Sequence, residues 1–357
     1  MSSLKIAYGV MGEGRGHTVR AMTLGEFLIE AGHEVRFFTK GQSEALIRNR
    51  FGGDSVQLTA TPRFGTLAGR VYNSLTAIRG AGFWLTLPFR VRKTIREMGN
   101  WRPDVVISDF EPTMPRVAKR LKIPCISFDS QHFTLACDLS NALPRLLRFR
   151  LSLLAGLAYI FNPRPDLIVV SKPFSLPTKR SNMHLVGPML RRSIETAEWN
   201  PAGTHILCYS RVHLRRAMPA IFQYGESIGE VRLYGHHPKV APDHVLKRPI
   251  SDDTFVEDML SADMVICTAG SQIIGELAVL GIPTLLIPEP GQVEQEVNTR
   301  LAVKSYGNFT MVSSKKISCE SIRHSFEGVS TELNQELLGA AEKVSKLILV
   351  YLESINQ

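Results

Sequence analysis

The sequence predicts an α/β protein made of two parallel-sheet domains, and three observations carry that prediction. Short apolar strands alternate with helical stretches along the chain, the signature of repeated βαβ units. The alternation stops at residues 187–202 (GPMLRRSIETAEWNPA), which lack strong periodicity, and then starts again. The charge also changes sign there: residues 1–190 hold 26 Lys+Arg against 13 Asp+Glu, and residues 191–357 hold 16 against 20. A chain of 357 residues is long enough for two domains.

The elements follow in order. Leu4–Val10 (LKIAYGV) is a buried strand ending at glycines. A helix follows from Arg20 to Ala31, with Met22, Leu24, Phe27 and Leu28 at helical spacing and Gly32 as its stop. Glu34–Thr39, Asp104–Ser108, Cys125–Phe128 and Asp166–Val170 are further strands, with a helix through Val117, Ala118 and Leu121. After the break come strands His205–Ser210, Val231–Tyr234, Met264–Cys267 and Thr284–Ile287. Helices Ala217–Glu226, Asp253–Ser261, Ile273–Leu280 and Gln295–Lys304 fit between and after them. Gln335–Glu353 reads as one long closing helix. The expected division is 1–188, 189–334 and a closing helix 335–357 that packs back on the first domain.

Composition narrows the classes. Hydrophobic residues at 44% and charged residues at 21% can fill sizeable cores, which excludes disorder as the main state. Five cysteines, an odd number with no CxxC pair, predict reduced thiols and a cytoplasmic setting rather than a disulfide scaffold or a thiolate metal site. No signal peptide and no apolar run of ~18 residues is seen. The basic first half predicts an anionic partner: phosphate groups or a membrane surface. Nucleic acid is a poorer expectation, because no recognition motif accompanies the charge.

Three loops carry the chemistry. The first strand ends in GVMGEGRGH, where Gly12, Gly14 and Gly16 alternate and His17 opens a helix. Such glycines let a ligand or backbone approach a helix N-terminus. A dinucleotide fingerprint is one reading, but the second strand ends in Thr39-Lys40 where an acidic ribose ligand is expected; NADP, with Lys40 on a phosphate, stays open. A histidine at the carboxyl edge of a parallel sheet is well placed as a general base, and equally as a plain helix-start residue. In the second domain, Met264–Val303 runs strand, loop Thr268-Ala269-Gly270-Ser271, helix, strand, loop Gly291–Gln295. The helix N-terminus above that loop suits a diphosphate. Glu276 can accept from ribose hydroxyls, and the carboxylate and amides of Gln292, Glu294 and Gln295 suit a sugar. Taken singly, Glu276 and Glu294 also read as solvated helix charges.

The donor stretch TAGSQIIGELAVLGIPTLLIP followed by PGQVEQEVNT resembles the signature of GT-B-fold, nucleotide-sugar glycosyltransferases, nearest to MurG-like N-acetylglucosaminyltransferases and UDP-glucuronosyl/glucosyltransferases. GEGRGHTVRAMTLGEFLIEAGHEVRFFT resembles their N-terminal loop and first helix, and PDVVISDFEP the middle of their acceptor domain. The resemblance implies a GT-B fold of two Rossmann-like domains facing across a cleft, acceptor domain first. It implies that Gly270 and Ser271 hold the diphosphate, Glu276 the ribose, and Glu294 and Gln295 the sugar hydroxyls. Thr268, Ala269, Gln272 and Gln292 flank them. Thr254, Phe255 and Val256, ahead of a helix, match the segment that reads the base, and Ser210 and Arg211 the segment that contacts phosphate. Two departures stand out: CYSRVHLRR replaces a glycine-rich turn, and Thr268-Ala269 replaces a double glycine or His-Gly.

His17 is then the expected base, with Asp109 orienting or charge-balancing it; Glu111 competes for that part, and Asp109 also reads as a helix cap. Gly14, Arg15, Gly16 and Glu111 fall on the acceptor side. Retaining GT-B enzymes often carry Glu-x7-Glu, but the partner position of Glu276 is Thr268, so the resemblance implies inversion. No metal or cofactor is expected, the donor being a UDP-sugar; Asp252-Asp253 reads as capping rather than as a metal motif. The expected acceptor is a hydroxyl, lipid-linked or on a cell-envelope glycan. Arg79–Arg96 and Pro144–Phe161 mix aromatic, aliphatic and basic residues and read either as interfacial segments on an anionic membrane face or as amphipathic core helices. A sugar-nucleotide epimerase of the same fold and a non-catalytic sugar-nucleotide- or lipid-binding protein remain alternatives.

Overall fold

The computed structural model describes residues 3–62, 66–67, 70–71, 73–249, 252–314 and 316–355. The chain divides into two compact units. One comprises Met1–Leu67, Val71–Met189 and Gly339–Gln357, the other Ala68–Arg70 and Leu190–Leu338.

The first unit carries a seven-stranded sheet. Its strands are β1 (Lys5–Val10), β2 (Glu34–Thr39), β3 (Val56–Leu58), β4 (Val105–Asp109), β5 (Cys125–Asp129), β6 (Leu167–Ser171) and β7 (Met183–Val186), in the order β3-β2-β1-β4-β5-β6-β7. Every pair is parallel. The strand order reverses beside β1, and the register Val10↔Asp109 sets the last residues of β1 and β4 side by side. Both faces are covered, which is why β4, β5 and β6 are buried at every position and read as unbroken apolar runs. Alternate residues feed two cores. Ile6, Tyr8 and Val10 pack with Leu24, Leu28, Val344 and Ile348 on one face. Ala7, Val106 and Phe38 pack with Leu87, Val91, Met114 and Trp101 on the other.

The second unit holds a six-stranded parallel sheet. Its strands are β8 (His205–Ser210), β9 (Glu230–Gly235), β10 (Val245–Arg248), β11 (Met264–Cys267), β12 (Thr284–Leu286) and β13 (Phe309–Met311), in the order β10-β9-β8-β11-β12-β13. Here the order reverses beside β8, between β8 and β11. In open α/β sheets ligands bind outside the carboxyl ends of the strands at such a reversal.

Several local expectations need correction. In the seven- and six-stranded sheets, the four strands without a sequence signal, β3, β7, β10 and β13, are the four edges; the short pair Thr66–Leu67 and Arg70–Val71 forms a separate two-stranded sheet that also lacked one. Each edge strand is three or four residues long and only partly buried, so it lacks an apolar run. The closing helix is shorter than expected: Gln335–Leu337 is a separate 3-10 turn, Gly339 takes φ 70°, and the helix runs Ala340–Ile355. Thr254, Phe255 and Val256 lie inside the helix Asp252–Leu260, close to the expected Asp253–Ser261, and ahead of the helix Ser271–Leu280. The side chains of Asp252 and Asp253 are outside the described residues. Glu294 and Gln295 stand in the first turn of the helix Val293–Ser305, not on a loop.

The two basic-aromatic stretches are helices, Asn73–Met98 and Arg145–Phe161; the side chain of Arg79 lies outside the described residues. Each has two faces. Phe83, Leu87 and Val91, and Leu147, Leu151 and Phe161, are core; Leu85, Phe89, Leu146 and Phe149 are exposed. Among the described residues, no helix is long and apolar enough to cross a membrane.

Candidate active site

The first cluster sits at the strand reversal of the first sheet. Gly14 takes φ 101° at the start of the helix Arg15–Glu30, a turn that brings His17 into the helix's first turn. Arg15 is half-buried there, and a Cβ built on Gly16 would meet open space. His17 Nδ1 lies 2.6 Å from Asp109 Oδ1. Arg20, one turn along the same helix, holds both oxygens of Asp109, Nε to Oδ2 and Nη2 to Oδ1, each at 2.7 Å. All three side chains are buried. Burial alone would lower the Arg20 guanidinium; Asp109 beside it raises it above its ordinary value.

This geometry selects one tautomer. Asp109 can only accept from Nδ1–H, so the neutral ring keeps its lone pair on Nε2. Arg20 Nη2 also lies 3.1 Å from Nδ1, and its charge neutralises the carboxylate. Asp109 therefore orients the imidazole more than it charge-balances it. The ring faces Phe110 (centroids 6.2 Å apart), which stacks at 4.2 Å on Phe161. Phe110 itself has φ 53°, a strained backbone held between Asp109 and Glu111.

Glu111 is fully buried and accepts from the backbone N–H groups of Thr113 (2.8 Å) and Met114 (2.7 Å), capping the helix Thr113–Leu121. Burial pushes its carboxyl up to about 7, against the pull of those hydrogen bonds and of Arg116. It is spent on the cap, so it does not compete with Asp109 for His17. Asp109, in turn, caps no helix among the described residues: its side chain is held by His17 and Arg20.

The second cluster sits at the strand reversal of the second sheet. The helix Ser271–Leu280 follows Gly270, and no described side chain caps it. Its first internal bond is Ile274 N–H to Gly270 C=O, which leaves the helix's N-terminal turn facing outward past Gly270. An anion is the natural occupant of such an end. Thr268 and Ala269 are buried beneath it, and Asn298 donates to the Ala269 carbonyl at 3.0 Å.

Glu276, one turn on, is fully buried. Its Oε1 receives the Gln272 amide at 3.1 Å and lies 3.3 Å from Arg191 Nε. Its Oε2 has no hydrogen-bond partner among the described residues. Arg191, in a stretch whose lack of periodicity reads as linker, also lies 5.8 Å from the Phe255 ring centroid. Phe255 and Val256 are core side chains, and the Thr254 carbonyl accepts from the Tyr234 hydroxyl at 3.0 Å.

Ser210 is buried at the end of β8, its hydroxyl 3.2 Å from the Arg211 carbonyl. Arg211 is partly exposed and lies 3.8 Å from Glu289, a buried carboxylate that sequence reasoning also missed. Its signal was present: Glu289 stands between two prolines just past a strand's carboxyl end. Gln295 turns its carbonyl to the Glu289 N–H at 2.8 Å, and Gln292 N–H donates to the Glu289 carbonyl at 3.1 Å. Glu294 is half-buried beside them.

The comparisons agree with this architecture. The pattern of Glycosyl transferase family 1 matches residues 4–329. An uncharacterized glycosyltransferase of Methanosarcina mazei is 25% identical, covering 91% of each chain. A UDP-N-acetylglucosamine--N-acetylmuramyl-(pentapeptide) pyrophosphoryl-undecaprenol N-acetylglucosamine transferase of Shewanella frigidimarina is 22% identical over 87% of this chain and 84% of its own. Among solved structures, the glycotransferase of kitacinnamycin superposes with a TM-score of 0.72 at 17% identity, covering 99% of this chain and 100% of its own. With the two parallel-sheet α/β units of a GT-B fold and a family pattern along nearly its whole length, the chain belongs to glycosyl transferase family 1.

Proposed function

We propose that this glycosyltransferase moves a hexose or N-acetylhexosamine from a UDP-sugar to an acceptor hydroxyl with inversion at the anomeric carbon. The observation that carries the reading is the buried His17–Asp109–Arg20 cluster, which leaves one lone pair, on His17 Nε2, at the mouth of the first sheet.

Each unit takes part of the chemistry. The acceptor hydroxyl gives its proton to His17 Nε2 as its oxygen attacks the anomeric carbon. The bond from that carbon to the diphosphate breaks, and the nucleoside diphosphate leaves with the electron pair. The helix N-terminus at Ser271, the helix dipole and Arg211 meet the charge gained by the leaving group, so the reading calls on no metal ion. Glu276 accepts from the ribose through Oε2. Glu294, Gln295 and Glu289 form the sugar-facing set. Thr268 at the partner position of Glu276 offers no carboxylate nucleophile, which favours direct displacement. The Shewanella relative, named for a UDP-sugar donor and an undecaprenol-linked acceptor, supports both substrate classes.

The same reading places the first unit on the anionic, cytoplasmic face of a membrane. Leu85, Phe89, Leu146 and Phe149 stand exposed on two helices that carry Arg90, Arg92, Arg145 and Arg148.

A thermal-shift panel of UDP, dTDP, GDP, ADP and NADP tests the donor assignment, because a ligand that binds only the folded state raises Tm. UDP should raise it most. A response to NADP alone would overturn the reading.

A further inference from the structure

A second buried histidine network lies beside His17, and the reaction drawn above does not use it. Asp129 ends β5, the strand next to β4. Its Oδ1 accepts from the backbone N–H groups of Gln131 and His132, both at 2.8 Å. Its Oδ2 lies 2.7 Å from His132 Nδ1 and accepts from the Ser127 hydroxyl at 3.0 Å. Ser127, Asp129 and His132 are all buried. Burial pushes the Asp129 carboxyl up, but His132 and these hydrogen bonds outweigh it and hold the group at about 2. A turn tied by three contacts to one carboxylate, which Ser127 of the strand also holds, has little freedom.

That turn sets Gln131. Its Oε1 accepts from the Ser130 N–H at 3.2 Å, which fixes the amide's orientation and turns Nε2 toward His17. The Gln131 Nε2 to His17 Nε2 distance is 3.4 Å. Asp109 already binds Nδ1–H, so His17 Nε2 is an acceptor and the amide faces it as a donor. The pairing holds only while Nε2 is unprotonated: once Nε2 gains a proton, two N–H groups face each other and the amide must let go.

We propose that Gln131 is a positioning residue for the acceptor, a proposal that rests on His17 being the base. In the resting enzyme its amide holds the Nε2 lone pair in place. The acceptor hydroxyl displaces the amide from Nε2 as it binds, and while it passes its proton to Nε2 the freed amide N–H meets the acceptor oxygen. The Ser127–Asp129–His132 network exists to present this one amide.

The test has two parts, each on folded full-length protein of near-normal Tm. The first uses no substrate. In ¹⁵N-histidine-labelled protein, Gln131→Leu should shift the His17 Nε2 resonance, and Gln131→Glu, which sets an acceptor against Nε2, should move it from the lone-pair range to the N–H range at a pH where wild type keeps the lone pair. The second follows UDP release from UDP-N-acetylglucosamine with water as acceptor. Gln131→Leu should lower kcat about tenfold or more, the low end of proton-transfer effects, with the donor KM unchanged. His17 signals identical in all three proteins would overturn the proposal. So would wild-type kcat in Gln131→Leu beside an inactive His17→Ala. Normal turnover in His17→Ala would instead sink the base assignment and this proposal with it.

Discussion

Replacing Glu276 by Gln keeps the side chain's shape and removes its charge. The carboxylate is fully buried, and its Oε1 is shared by Gln272 at 3.1 Å and Arg191 at 3.3 Å. Its Oε2 has no hydrogen-bond partner among the described residues, which makes it the acceptor the ribose would use. Hydrogen bonds to a charged group contribute ~1.5–3 kcal/mol, and Gln also turns an amide that donates toward hydroxyls that donate. UDP affinity should therefore fall about ten- to a hundredfold. The fold should suffer less. Removing one partner of a fully buried ion pair destabilises by about 3–5 kcal/mol, but the Arg191 side chain keeps 18% of its surface in water, so ~1–2 kcal/mol is expected. Calorimetric titration with UDP reads the first quantity and urea unfolding the second. A folded Glu276→Gln protein with wild-type UDP affinity would refute the assignment of Glu276 to the nucleotide.

Three further outcomes follow from the same geometry. His17→Ala should lower turnover by ~10²–10⁴-fold with UDP affinity nearly unchanged; lost UDP binding would place His17 on the donor phosphates instead. Asp129 is held at about 2 against an ordinary 3.8, a depressed carboxyl. Its contribution of about 2 kcal/mol is present above pH ~4 and is lost as pH falls through ~2, so the stability gap between wild type and Asp129→Asn should narrow over that window. A gap independent of pH would show that the network does not hold the ionised form. Finally, the protein should sediment with phosphatidylglycerol vesicles and not with phosphatidylcholine vesicles, less so as salt rises. Equal binding to both would leave the basic charge without a membrane role.

Sequence by itself determined the architecture wherever a strand is buried on both faces. All nine internal strands of the two sheets were visible, and β4, β5 and β6, buried at every position, read as unbroken apolar runs because a doubly covered strand has no polar side to interrupt it. The four edge strands were not, since an edge is short and half-wet. His17, Asp109, the open helix end at Ser271 and Glu276 were also visible, because they stand directly after strands or on the first turns that follow them. The partners of these residues were not. Arg20 looked like one more helix residue until folding set it against Asp109, 89 positions away. Arg191 lay in a stretch with no periodicity, and its link to Glu276 exists only in the folded unit. Gln131 and Glu111 show the same limit from opposite sides: an unremarked amide reaches His17, while a carboxylate named as a competitor is spent capping its own helix. A linear pattern reports where a chain must be apolar and where a turn must follow a strand. Which buried charges neutralise each other, and so which lone pair remains for chemistry, is decided only when distant strand ends meet at one edge of a sheet.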